Sequence, residues 1–408
     1  MRRWLLTALV VALSGCATTS AGPDSVTLWM YPVIDDAAKS KAFWKQVEAD
    51  FEATHHIDLR VELQPWAGRQ EKIGTALMSG SGPDLVLLQP DMIPQYVAQG
   101  ALQPVGDVVT GSGRAFRPSV ISELSVGGQA YGVPIYQTVT TTVYNRRLFA
   151  EAGITELPRT WDEVRAAAPR LAARGIPVLD YPGSAEETLN ITFYPLLWQA
   201  GGSVFSADGK KSAFSSPEGV AALRFLTDLG AMNGLPRDVT TRKSDLKDDP
   251  VAAGRAAMSH VTTAAEARNI MAGIGAEDTV IGLPLQQKVR ATFGQPGALS
   301  LVRKEKKVKD AAWKVLAHLT SPKVVDGLCA ESGFFAPWMD ASPPSGDEVD
   351  RKFAQALPFA SAGDAHPQAR KVMSLLAPHL QAALLGRATP ERALADAAAE
   401  VDGMLGGR

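Results

Sequence analysis

Tyr31, Gln64, Trp66, Gln89 and Asp91 stand directly behind three short apolar runs, SVTLWM (25–30), IDLRVEL (57–63) and LVLL (85–88). Two aromatic rings, two carboxamides and a carboxylate are residue types suited to holding a sugar. Flat apolar faces cover the C–H faces of a pyranose, while amides and carboxylates accept and donate the hydrogen bonds its hydroxyls require. Singly, each has a plainer use: Trp66 can pack at a helix start and Asp91 can cap the next helix. Their coincidence behind three successive runs favours one shared binding rim.

The elements needed to build such a rim are legible. SVTLWM reads as a strand, IDLRVEL alternates apolar and polar as a half-buried strand does, and LVLL suits a strand covered on both faces. Between them, Phe43, Val47 and Phe51 recur at helical spacing, as do Ile73 and Leu77, and the cluster Ser79-Gly80-Ser81-Gly82-Pro83 ends the second helix. Strands alternating with helices predict βαβ units and a parallel sheet, whose ligands bind outside the carboxyl ends of the strands.

Farther along, VPIYQTVTTTVYN (133–145) is long and β-branched enough to cross between two lobes. Thr160 with Glu163 predicts a capping box for a helix with Val164 and Leu171 inward. Ser216 with Pro217 opens another helix, with Val220 and Leu223 on one face. GLPL (282–285) and ALSLV (298–302) read as apolar strands returning to the first lobe. Asp310 begins an amphipathic helix through Ala312, Val315, Leu316 and Leu319, and Thr389-Pro390-Glu391 opens the last, with Leu394 and Val401 inward.

Catalytic signatures are missing from the sequence. It has six histidines, scattered, with no Cys-x-x-Cys or His-Glu-x-x-His spacing, so neither a metal site nor a cofactor is expected. It also lacks a Gly-x-Ser-x-Gly elbow and a phosphate loop. A glycoside hydrolase would need two carboxyl groups about 5–10 Å apart. Asp91 is the acid that the strand pattern places on the rim, with Asp35 and Asp36 close to it in sequence. A phosphate-bearing solute, such as a glycerophosphodiester, would want cations there, and the rim segments offer Arg69. His55-His56 reads as a solvated helix end and KEKK (304–307) as a surface turn.

The chain has 408 residues, 46% hydrophobic, with Lys+Arg 41 against Asp+Glu 43. That length favours two lobes, and the balanced charge gives no case for nucleic acid as a partner. Near the start, Arg2 and Arg3 precede WLLTALVVAL (4–13), an apolar run too short to span a bilayer, followed by small residues. This reads as an export signal, and its loss would remove two positive charges and take the net charge from -2 to -4. Leu13-Ser14-Gly15-Cys16 resembles a bacterial lipobox, which implies cleavage before Cys16 and acylation of its sulfur and freed amine. Cys329 would then have no disulfide partner within the chain.

Strung along the chain, GPDLVLLQPDMIPQYVAQGALQPV (82–105), GGQAYGVPIYQTVTTTVYNRRLFAEAGI (127–154), LPRTWDEVRAAA (157–168), LWQAGGSVF (197–205), SSPEGVAALRFL (215–226), GRAAM (254–258), DAAWKVLAHLTSP (310–322) and TPERALADAAAEV (389–401) resemble, in order, the extracellular solute-binding proteins of ATP-binding-cassette sugar importers, the type that includes maltose-binding protein. The resemblance implies a two-lobed periplasmic-binding-protein-like α/β fold of type II, each lobe a mainly parallel sheet flanked by helices. It places a signal peptide at 1–15, a lipidated tether at 16–24, the first lobe at 25–135 and 282–325, and the second at 136–281 and 326–408, the last beginning with the hinge return.

The same resemblance implies a monomer, exported and anchored by lipid at Cys16 to the outer face of the cytoplasmic membrane or in the periplasm. It would carry a carbohydrate, an oligo- or disaccharide by preference, to a transmembrane permease without catalysing a reaction. By position it adds Tyr136, Gln137 and Thr138 on the crossing strand, Trp198, His260 after the GRAAM strand, Phe293 and Gln295 before the return strand, and Phe335 and Trp338 to the five rim residues as ligand contacts. His260 and the Phe335–Trp338 cluster have structural readings too, as a hydrogen-bonded strand residue and as hinge packing. Where many members carry a tryptophan after GRAAM, this chain reads His260-Val261-Thr262-Thr263-Ala264-Ala265, which removes one stacking platform.

Overall fold

A computed structural model describes residues 25–304 and 310–406. The expected signal, Cys16, its tether and the stretch from Glu305 to Lys307 of the KEKK run lie outside the described residues. Two large apolar cores organise the described residues, with a smaller third around Val143, Ile270, Phe335 and Phe353. The first gathers Val26, Leu28, Leu85–Leu88, Leu299 and Leu316, and the second gathers Phe149, Trp161, Phe225, Leu376 and Leu394.

The first core surrounds a sheet in the order Asp58–Leu63, Ser25–Met30, Leu85–Leu88, Pro296–Val302, Leu102–Gln103, with Val133–Gln137 also paired to Pro296–Val302. The expected strands pair in parallel, Ser25 opposite Asp58 and Leu28 opposite Leu85. Leu85–Leu88 is buried throughout, whereas Leu63 on the edge strand is exposed. The helix Ala37–His55 packs through Trp44, Val47 and Phe51; Asp36 caps it by accepting from the amides of Ala38 and Lys39. His55 and His56 are exposed, and His56 ends the helix in the left-handed conformation.

The second core surrounds a sheet ordered Thr279–Ile281, Thr141–Asn145, Met258–Thr262, Leu179–Asp180. Its helices begin as their caps predict. Thr160 and Glu163 form the capping box of Trp161–Ala172, and Ser216 accepts from the Gly219 amide at the start of Pro217–Ala231. Leu223, Leu394 and Val401 are buried, and Val220 packs partly buried against the same core.

Four details differ from expectation. The sheets are mixed rather than mainly parallel. Pro296–Val302 returns from the second lobe and enters the first sheet antiparallel to Leu85–Leu88, and Thr141–Asn145 is antiparallel to both its neighbours. A strand that re-enters from a crossing runs opposite to the βαβ strands it joins. GLPL is also no strand; Leu285 stays in the second core. The Gly282 amide still donates to Thr142 O at 2.9 Å, but Pro284 offers no amide with which to continue a ladder. GRAAM is a turn that precedes the strand Met258–Thr262 and contributes only its methionine. Finally, the first core holds the chain beyond residue 326, through Leu328, Cys329, Ala336 and Trp338.

The crossing region is a small hydrogen-bonded ribbon. Val133–Gln137 belongs to the first sheet and Thr141–Asn145 to the second, so the lobes are joined through Thr138–Thr140. There the Thr138 amide donates to Gln295 O at 2.9 Å and the Thr140 amide to Phe293 O at 2.9 Å, while Gln137 and Phe335 exchange backbone bonds at 2.7 and 3.0 Å. Three segments distant in sequence are thereby tied at one place.

Candidate functional site

On the first lobe, the ends of the three parallel strands carry a compact aromatic and polar group. Tyr31 and Trp66 are stacked, with ring centroids 4.9 Å apart and planes inclined by 26°. Trp66 donates from Nε1 to Pro32 O at 3.1 Å yet leaves 42% of its surface exposed, whereas Tyr31 is fully buried. Arg69, at the start of the helix Arg69–Met78, lays its guanidinium over both rings. That contact holds a flexible side chain in one orientation.

Arg69 also donates to Gln89 Oε1 behind the third strand, and Asp91 follows, almost wholly buried. The second lobe meets this group directly. Arg370, on the helix Ala369–Leu384, donates to Gln89 Oε1 at 3.1 Å and brings Nε to 2.7 Å from Asp91 Oδ2. Asn190, in the short turn Leu189–Ile191, approaches Asp91 Oδ2 with its amide nitrogen at 3.5 Å. Trp198 and Asn190 flank Gly363, where a Cβ would lie 3.4 Å and 3.3 Å from them. Tyr194, Asp364, Asp91 and Asn190 line one small cavity between the lobes. Outside it, Trp66, Arg69, Met92, Gln95 and Arg370 border an open groove of about 720 Å³.

Several buried polar atoms in this region have no hydrogen-bond partner within the protein: the Tyr31 and Tyr194 hydroxyls, Arg69 Nη1, Asp91 Oδ1, Asn190 Oδ1 and Gln295 Oε1. Buried polar groups in folded proteins are normally satisfied, so a concentration of unpartnered ones between two lobes points to a polar ligand. Burial shapes their charge states. It pushes the Tyr31 hydroxyl up to about 12, with the Arg69 charge partly opposing, and raises Tyr194 and the Asp364 carboxyl. Both tyrosines are therefore neutral donors near neutral pH.

Of the residues expected at the site, Tyr31, Trp66, Gln89 and Asp91 are brought together, while Trp198 packs in the second lobe beside Tyr194 and Gly363. Gln64 is drawn aside, accepting from Lys72 and donating to Glu62 Oε2 at 3.2 Å. Gln137, Thr138, Phe293, Gln295 and Phe335 belong to the crossing ribbon, and the Gln137 carboxamide accepts from Arg117 at 3.0 Å. Of these five, Gln295 keeps a free buried oxygen. Tyr136 is packed in the first core against Phe334 and over Gly297.

Two expected contacts stand elsewhere. Trp338 is fully buried in the first core, stacked on Phe116 at 4.5 Å and donating to Asp326 Oδ1 at 2.8 Å, because the chain is still within the first lobe at that point. His260 lies in the middle of its strand rather than after it. It stacks 6.1 Å from Tyr181, with Nε2 3.4 Å from Thr192 O, and borders a small, partly open cavity of about 60 Å³ with Asp180, Arg242, Asp249 and Glu266. Burial pushes its pKa down to about 4. Just after this strand Thr263 caps the helix Ala264–Ile274 in a box with Glu266.

Arg370, Asn190, Tyr194 and Asp364 carry no motif that sequence reading could seize. Arg370 lies 279 positions beyond Asp91 by residue number and reaches it only through tertiary structure. Among the described residues no group of three or more His, Cys, Asp or Glu is placed to hold a metal ion, and no helix is long and apolar enough to cross a membrane.

The profile of the family described as bacterial extracellular solute-binding protein matches residues 35–326. A binding protein of Brucella abortus is 25% identical over 426 residues, covering 99% of each chain. The diacetylchitobiose binding protein DasA of Streptomyces coelicolor is 26% identical over 260 residues, 58% of this chain and 59% of that one. Among solved structures, an ABC transporter solute-binding protein from Thermotoga lettingae bound with α-D-tagatose superposes with a TM-score of 0.78 at 26% identity, covering 94% of this chain and 100% of that one.

Proposed function

The chain belongs to the bacterial extracellular solute-binding proteins, and from that premise we propose that it captures a carbohydrate between its lobes and hands it to the membrane permease of an ABC importer. The observation that carries the ligand class is the Tyr31–Trp66 stack standing beside buried polar atoms that lack protein partners, supplied by both lobes. A sugar ring lies on the exposed indole face while its hydroxyls satisfy those atoms. The names of DasA and of the tagatose-bound structure support the same class.

Closure is the working step. Thr138–Thr140, Phe293–Gln295 and Phe335 form the ribbon about which the lobes turn, and a ligand touching both lobes favours the closed arrangement by its added contacts there. The closed, loaded protein then presents a surface to the permease, and binding alone suffices for this role. Export with lipid at Cys16, on the outer face of the cytoplasmic membrane, would keep a monomer close to that permease.

A thermal-shift screen of the purified protein against mono-, di- and oligosaccharides and glycerophosphodiesters tests the reading. A ligand at a hundred times its Kd adds about 2.7 kcal/mol to the native state, an easily measured change in melting temperature. A shift with a saccharide and no product on incubation supports it. Product formation, or shifts with non-saccharide compounds alone, would overturn it.

A further inference from the structure

Two arginines meet at the cleft, and among the described residues a single carboxylate, Asp91, forms an ion pair with either of them. Arg69 of the first lobe and Arg370 of the second both donate to one neutral acceptor, Gln89 Oε1. Arg370 has Asp91 beside it at 2.7 Å. Arg69 makes no ion pair among the described residues, and its Nη1 is buried without an acceptor. The groove outside adds one further cation, Lys371, and one carboxylate, Glu71, so that with Asp91 the charges lining this region sum to one excess positive charge.

A shared carboxamide oxygen orients two cations but does not cancel their charge. Burial and the charge of Arg370 both push the Arg69 pKa down, Asp91 opposing in part, as expected for a guanidinium lacking a sufficient counter-charge. The planar guanidinium matches carboxylate and phosphate oxygens, and such charge-assisted bonds are stronger than those to hydroxyls. Tyr31 and Trp66 hold Arg69 in place from one side.

We propose that the carbohydrate carried by this protein bears an anionic group, a carboxylate or an esterified phosphate, seated between Arg69 and Arg370 at the mouth of the cleft. The inference rests on the carbohydrate reading of the site and narrows it to acidic saccharides. The sugar ring occupies the aromatic face of Trp66 and the anion bridges the two lobes, so the charged group itself rewards closure. Asp91 remains as the partner that keeps Arg370 extended across the cleft.

The test is calorimetric titration of the purified protein with uronic-acid oligosaccharides, sugar phosphates and the neutral counterparts of each, with inorganic phosphate as a further probe. The acidic member of a matched pair is expected to bind about tenfold tighter or more, the equivalent of one charge-assisted bond. That preference should shrink with added salt, and either Arg69→Gln or Arg370→Gln should erase it. Arg69→Lys, which retains charge but not the fork, guards against a folding defect, and each melting temperature is checked. The uronate and phosphate series separate the two sources of the anion. Equal or tighter binding of the neutral members would overturn the inference and leave the carbohydrate function standing. Binding of inorganic phosphate alone, or of no saccharide in either series, would overturn both.

Discussion

Arg370 and Asp91 belong to different lobes, yet Arg370 Nε lies 2.7 Å from Asp91 Oδ2 and the carboxylate side chain is 2% exposed. The pair therefore closes the cleft at a point where neither residue is held by its own lobe alone. Opening the lobes separates the two charges and returns Asp91 to water.

Removing one member should act on closure more than on folding. Arg370→Met leaves a buried carboxylate unpaired, a situation that costs about 3 kcal/mol or more when water cannot reach it. The lobes can escape that cost by opening. We expect the unliganded variant to have a larger radius of gyration in small-angle scattering, and the double variant with Asp91→Asn to recover part of the wild-type value. No change in either variant would mean that the pair does not hold the cleft.

Trp66 is the exposed half of the aromatic stack, 42% accessible against 0% for Tyr31. Its truncation should thus spare the core and harm the ligand face. Trp66→Ala is expected to weaken saccharide binding by about 1–3 kcal/mol in calorimetry, with the melting temperature of the free protein little changed. Undiminished affinity would remove Trp66 from the site.

Gly297 lies in the buried return strand, where a Cβ would come 2.0 Å from Tyr136 Cζ. The tyrosine ring cannot yield readily because Phe334 packs 4.9 Å from it. Gly297→Ala is expected to destabilise the protein by about 2–4 kcal/mol in urea unfolding. Pairing it with Tyr136→Ala should restore part of that loss, since the second change opens the space the first one fills. A cost equal to or greater than the sum of the two single changes would refute this steric account.

The buried His260 gives the stability a defined pH dependence. Its folded pKa of about 4 lies below the ordinary value of 6.5, so between those values the unfolded chain binds the proton and the native state does not. Stability is complete above pH 6.5 and declines as pH falls toward 4, by up to about 3 kcal/mol from this group. Asp180, Asp249 and Glu266 border the same cavity with burial-raised carboxyl pKa values and act in the opposite sense, while Arg242 pairs with Asp180 at 2.6 Å. Comparing urea midpoints of the wild type and His260→Asn at pH 7 and 4.5 isolates the histidine. The variant should lose less stability on acidification, and parallel losses in both proteins would refute the assignment.

Periodicity and capping fix what is local. Phe51 and Val47, the Thr160–Glu163 box and the face of Ala312, Val315, Leu316 and Leu319 need only their own segment to define a helix and its inward side. The alternation of strands and helices likewise implies parallel pairing, and with it a rim bearing Tyr31, Trp66, Gln89 and Asp91. Local pattern misled where tertiary context outweighed it. GLPL looks like a strand by hydropathy, but after Gly282 the pairing stops, and Pro284 has no amide to give to a ladder.

What the sequence determined by itself is therefore the set of elements and one half of the cleft, because side-chain period, caps and strand ends are properties of neighbouring residues. The tertiary structure alone decided the other half. Arg370, Asn190 and Tyr194 acquire their place from the way the second lobe folds back over the first, and Gln137, Thr138 and Phe335 share one ribbon because three distant segments meet there. Such meetings depend on the summed packing of both cores, which no spacing along the chain records.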